Sequence, residues 1–168
     1  DEEAMKRFGN TVVVWDLHTR KPIKVLDVPG APLEIRFAWG PDNNYAFTTT
    51  ALTSKIWLIY EDEQGEWQAK AVADIGDPSQ IPLPVDISIG SNDKHLWVNT
   101  FMDGKTRLFD ISDPFNPKQI YEKQIGAQVN MASSAWSGER VYYTSSLLAN
   151  WDKKGEDDEQ YFKAYTFD

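Results

Sequence analysis

The chain has 168 residues, enough to bury a sizeable core, and a formal net charge of −9 from 26 acidic and 17 basic side chains. That balance disfavours a nucleic-acid partner, whose phosphates are held by clustered Lys and Arg. With no cysteine, disulfides, thiolate catalysis and cysteine-ligated metal centres are excluded within these residues, while seven Trp, seven Tyr and eight Phe suit the pleated, half-buried surfaces of an all-β fold.

In chain order, Asp1 to Arg7 is a polar lead-in, and its acidic start does not resemble the basic and apolar regions of a signal peptide. No apolar run approaches the ~18 residues of a membrane helix, so no membrane partner is expected. Thr11 to Leu17 and Pro22 to Val28 read as a hairpin turning at His18-Thr19-Arg20-Lys21. Pro29-Gly30-Ala31-Pro32 then punctuates the chain before strands at Leu33 to Trp39, Tyr45 to Thr50, Lys55 to Tyr60 and Trp67 to Ile75. A proline-rich connector, Gly76 to Pro84, leads into a second set: Val85 to Ile89, His95 to Phe101, Lys105 to Ile111 and Lys118 to Ile125. A third begins at Val129 to Trp136 and Arg140 to Leu147, passes an acidic loop after Trp151-Asp152-Lys153, and ends at Gln160 to Asp168.

These sets repeat. Asp16, Tyr60, Asp110 and Asp168 each close or nearly close a strand, at intervals of roughly 44 to 58 residues, the period of propeller blades. The turns Gly40 to Asn44, Gly90 to Lys94 and Ser137 to Glu139 occupy matching places. The expected fold is a partial β-propeller of about three and a half four-stranded antiparallel blades: a half blade at 1–28, blades at 29–78 and 79–126, and an incomplete blade at 127–168. Open sheet edges and blade faces favour association, so the expected partner is a missing N-terminal half of the propeller or a second copy of the chain.

First strands of blades line the central channel. Glu34, Asp86 and Asn130 hold similar places in three successive first strands and converge there if the repeat holds. They would then present oxygen atoms to a cation or polar ligand, with Asp103 reaching in from a loop; the alternative is that they cap strand ends and line a wet channel. Trp151 and Asp152 read as a channel-mouth element or as an aromatic plug with an Asp turn. His18 and His95 are the only histidines and are placed in a hairpin turn and on an outer surface, away from any metal pair. Trp15, Trp39, Trp57, Trp97 and Trp136 read as packing between blades.

Five motifs resemble the selenium-binding protein and methanethiol oxidase family of seven-bladed propellers. They are Val14-Trp15-Asp16, Pro32-Leu33-Glu34-Ile35-Arg36-Phe37, Asp86-Ile87, Arg107-Leu108-Phe109-Asp110-Ile111-Ser112-Asp113-Pro114, and Thr144-Ser145-Ser146-Leu147 followed by Trp151-Asp152-Lys153. The resemblance places the chain in the C-terminal half of such a protein. It implies copper-dependent oxidation of a small thiol, methanethiol, by oxygen to formaldehyde, hydrogen sulfide and hydrogen peroxide. In the enzymatic reading the channel holds the metal, and Glu34, Asp86 and Asp103 are its ligands or groups supporting the ligands.

One departure stands out. Where the family carries a histidine in a Trp-Leu-His-Gly stretch, this chain has Phe101-Met102-Asp103-Gly104, and copper prefers imidazole or sulfur to a lone carboxylate. The family's N-terminal cysteine and C-terminal histidine motifs lie outside these residues. Two functions are therefore carried forward: part of a metal-dependent methanethiol oxidase, or a non-catalytic binding or scaffold propeller with an altered metal site. Bacterial members are often exported, which leans the expected compartment toward the periplasm, with the cytoplasm as the alternative.

Overall fold

The computed structural model describes Glu3, residues 6–145 and residues 162–166. Its strands form four antiparallel sheets, each a meander of consecutive strands. The first is a hairpin of β1 (Thr11–Asp16) and β2 (Lys21–Asp27). The second contains β3 (Pro32–Phe37), β4 (Tyr45–Thr50), β5 (Lys55–Glu61) and β6 (Trp67–Asp74). The third repeats this order in β7 (Pro84–Ile89), β8 (His95–Thr100), β9 (Lys105–Asp110) and β10 (Lys118–Gln124). The fourth has three strands among the described residues: β11 (Val129–Ser134), β12 (Arg140–Ser145) and β13 (Phe162–Thr166).

The sheets stack face to face, and a hydrophobic cluster fills each interface. Leu26, Val28, Ala46 and Ile59 join the first sheet to the second, with Val12, Val14, Trp57 and Trp67 around them. Phe47, Ile56, Leu58, Ile87, Leu96, Val98 and Phe109 join the second to the third. Trp97, Leu108, Val129, Val141 and Tyr143 join the third to the fourth. A strand in the middle of such a stack is covered on both faces and has no need of polar alternation. β8 shows this in Leu96-Trp97-Val98-Asn99-Thr100, all buried, whereas every residue of the outer strand β10 is exposed.

Local chemistry fixes the turns. Asp16, Asp62, Asp110 and Asp113 each accept a backbone N–H two residues on, the turn bond that ends a strand at an aspartate. Pro84 begins β7 opposite Thr100, a position where its missing donor does least harm. Gly104, at φ +62°, closes the β8–β9 turn where a Cβ would collide with the Gly126 carbonyl.

β7 packs between β3 and β11, so the three first strands stand side by side along one wall. A bracket binds their far ends. Asp93, itself 8% exposed, accepts the backbone N–H groups of Trp39 and Gly40, each at 2.7 Å, and Asn43 Nδ2 at 2.8 Å. One carboxylate on the β7–β8 turn thereby holds the β3–β4 turn of the neighbouring sheet.

Candidate functional site on the inner strands

Each inner strand is irregular at the same place. The pairing register slips between Pro32 and Ile35 in β3, between Pro84 and Asp86 in β7, and between Val129 and Ala132 in β11. Bulges re-aim side chains and recur beside functional sites. These slips fall at Glu34 and Asn130 and immediately before Asp86, the three positions matched in sequence. Their neighbours upstream are unusual as well: Ala31 (φ 64°) and Leu83 (φ 63°) are left-handed residues immediately before Pro32 and Pro84. Such backbone costs on the order of 1–3 kcal/mol and persists only where its surroundings impose it.

Asp86 is the most enclosed of the three, at 4% exposure. Ala132 of the next sheet donates its N–H to Asp86 Oδ2 at 2.7 Å, so the carboxylate ties β7 to β11. Burial pushes its pKa above the usual aspartate value, and the charge of Glu34 adds to this; the backbone N–H groups of Ala132 and Ile87, and more weakly Arg36, pull the other way. Glu34 forms a close ion pair with Arg36, and its carbonyl accepts Thr48 Oγ1 at 2.6 Å. Asn130 is 9% exposed, and its carbonyl accepts Asn99 Nδ2 at 3.2 Å. Farther along the wall Ser88 Oγ and Ser134 Oγ are 2.9 Å apart, and Ser134 N–H donates to Ser88 Oγ. Glu34 and Asp86 thus lie within electrostatic reach of one another, with Arg36 beside them.

Asp103 is placed differently. It sits in the β8–β9 turn, and its carboxylate is occupied within its own sheet: it takes a short bond from Thr100 Oγ1, the Lys105 N–H at 3.2 Å and Arg107 Nη2 at 2.8 Å. Arg107 is 3% exposed and also reaches Thr100 Oγ1 at 2.6 Å and Glu122 at 3.0 Å. Sequence reasoning missed Arg107, because an arginine alternating with Thr106 and Leu108 looks like an outward strand residue. Trp151 and Asp152 lie outside the described residues.

The tryptophans divide. Trp97, at 5% exposure, and Trp57 pack between sheets as expected. Trp15, Trp39 and Trp136 are 55%, 48% and 78% exposed in this chain. Trp39 and Trp136 fall just beyond the ends of β3 and β11, where the chain has already left the stacked faces.

Copper makes a chemical demand that these groups can be tested against. The donors on the inner wall are carboxylate and amide oxygens, and one carboxylate oxygen of Asp86 is already bonded to a backbone N–H. His18 is exposed in the β1–β2 turn and His95 opens β8 opposite Asp110, at the end of the sheet away from the bulges. Among the described residues no three His, Cys, Asp or Glu side chains gather as a metal-holding group. This donor set does not fit a copper centre.

The model of the 56kDa selenium binding protein (SBP56) family matches residues 1–164. The chain belongs to that family. Over all 168 residues it is 74% identical to the methanethiol oxidase of Ruegeria pomeroyi and 60% identical to that of Hyphomicrobium sp, and it spans 38% and 39% of those two proteins. In structure it is similar to a hypothetical selenium-binding protein of Sulfolobus tokodaii, with TM-score 0.79 and 26% identity over 99% of this chain and 49% of the other. The β-propeller domain of Swd1 from Myceliophteria thermophila shares the fold alone, at TM-score 0.64 and 13% identity over 82% of this chain and 43% of that one. The SBP56 chain described here is thus an all-β portion of propeller architecture, much shorter than its curated relatives.

Proposed function

We propose that this chain is a portion of a methanethiol oxidase. The observation that carries the reading is the 74% identity to the Ruegeria pomeroyi methanethiol oxidase, unbroken over the whole chain. In the reaction, methanethiol, dioxygen and water give formaldehyde, hydrogen sulfide and hydrogen peroxide. The bulged wall of Glu34, Asp86 and Asn130 would form one side of the reaction chamber. There the Glu34–Arg36 pair fixes the local charge, and Asp86, its carboxyl more basic than usual, holds the wall together between sheets.

The resemblance to the family suggests copper, whose imidazole ligands would come from outside these residues; Glu34 and Asp86 would then support the centre electrostatically. For Asp103 the bonds to Thr100 and Arg107 favour a positioning role in the β8–β9 turn. The test uses the full-length protein, with methanethiol consumption, formaldehyde, sulfide and metal content measured on one preparation. Turnover with stoichiometric copper is expected. A folded, copper-free preparation that cannot be reconstituted and does not consume methanethiol would instead support a scaffold or binding propeller with an altered metal site.

A further inference from the structure

The β8–β9 turn is bonded to the connector that delivers β7. The Phe101 N–H donates to the Leu83 carbonyl at 2.9 Å, and the Met102 N–H donates to the Pro82 carbonyl at 3.0 Å. Leu83 is the left-handed residue from which Pro84 starts the inner strand, and Asp86 follows two positions later. The turn therefore sets the angle at which β7 enters the wall. At the other end of the connector Gly76, at φ +60°, lies against Arg107: a Cβ there would stand 2.8 Å from Nη2. The guanidinium that holds Thr100, Asp103 and Glu122 thus also backs the start of the connector.

The second sheet contains the same tie built from different chemistry. Ala51 and Leu52 donate their N–H groups to the carbonyls of Ala31 and Gly30, both at 3.0 Å, and Ala31 is the left-handed residue before Pro32. Trp57 stands where Arg107 does, third in its strand and opposite the fourth residue of the strand before. Its Nε1 reaches Thr50 Oγ1 at 3.3 Å, and Thr50 is bonded to Thr53. A neutral indole with a single N–H serves that turn. In the third sheet a charged fork engages two carboxylates and a hydroxyl, and charge-assisted bonds are about twice as strong as neutral ones. The stronger tie belongs to the strand whose enclosed carboxylate, Asp86, joins β7 to β11.

We propose that Arg107 is a positioning residue for the inner wall: through the β8–β9 turn it keeps Leu83 left-handed and Asp86 aimed at the Ala132 N–H. It acts on the wall through main-chain bonds. Its consequence for turnover rests on the proposed function; the tie itself rests on the bonds just described.

The test uses the full-length protein and two variants. Arg107→Lys keeps the charge but loses the planar fork that holds Thr100, Asp103 and Glu122 together, and Arg107→Met keeps only the apolar stem. Hydrogen exchange is read at the Phe101, Met102 and Ala132 amides, with Ala51 and Leu52 of the matching turn as the internal reference. In both variants the first three should exchange about tenfold faster than in wild type while the reference pair keeps its rates, the scale of losing bonds to a charged group. Equal acceleration of both sets, or of neither, overturns the tie; if Arg107→Met does not fold, Arg107→Lys alone decides. Methanethiol oxidation is then measured on the same variants. kcat should fall about tenfold with KM nearly unchanged, the mark of a displaced wall rather than of lost substrate binding. Faster exchange at Ala132 with an unchanged kcat overturns the role in the reaction. If the wild-type protein does not oxidise methanethiol at all, the proposed function falls, and the exchange comparison still decides whether Arg107 positions the wall.

Discussion

A carboxylate as enclosed as Asp86 titrates against its own burial. Its folded-state pKa is raised, so between the ordinary aspartate value and that raised value the folded protein binds more protons than the unfolded chain. Stability from this group is therefore greatest on the acid side of the window and falls as pH rises through it. Glu122 has the opposite sign: the bond from Lys105 foremost, with Arg107 adding to it, lowers its pKa, and its contribution is lost as pH falls. Comparing wild type with Asp86→Asn cancels the Glu122 contribution and isolates the first effect. The melting-temperature advantage of wild type over the variant should shrink with rising pH across the window and then stay constant. An advantage that grows with pH would contradict the assignment.

Glu34, Asp86 and Asn130 were matched because each stands second in an expected first strand, and in the structure each lies at or beside a register slip of an inner strand. The partner of Asp103 was not legible. Arg107 lies four residues on, across a tight turn, and only the folded β8–β9 hairpin brings its guanidinium back to that carboxylate.

At the scale of elements, the Asp93 bracket decides how two neighbouring sheets are registered. It satisfies three donors from residues fifty or more positions earlier, two of them main-chain. A hydrogen bond to a charged group contributes about 1.5–3 kcal/mol. Asp93→Ala should therefore destabilise the protein by at least about 2 kcal/mol, with the loss concentrated at the β3–β4 turn. Hydrogen exchange would register it as faster exchange of the Trp39 and Gly40 amides while β8 and β9 keep their protection. Uniform exchange across the molecule would instead mean that the bracket is not a local tie. The strands themselves were readable from two-residue alternation and Asp or Gly turns, and the four-strand order from its repetition. The bulges were not, since a slip of one residue between partner strands leaves no mark in either strand's own sequence.

At the scale of the whole molecule, the two flanks differ. The outer strand β10 shows Lys118, Glu122 and Lys123 to solvent, the kind of edge that discourages further pairing. Around β1 and β3 the surface is instead apolar: Trp15, Leu17, Ile23, Val25, Leu33 and Phe37 are all more than half exposed. A contiguous apolar surface of that kind marks an interaction site. The 168-residue chain expressed by itself should therefore self-associate, and light scattering coupled to size exclusion should give a mass well above 19.2 kDa. A monodisperse monomer would contradict this. The chain spans about 38% of the length of the Ruegeria pomeroyi relative.

Among the described residues every sheet is a meander of strands consecutive in the chain, so none of the described strands pairs out of sequence order. Loop closure between neighbouring strands carries a small entropic cost, whereas the Asp93 bracket must wait for two finished sheets to meet. Ordering in time then follows ordering along the chain: during synthesis one sheet can zip shut before the next has left the ribosome, and the slow events are dockings of whole sheets.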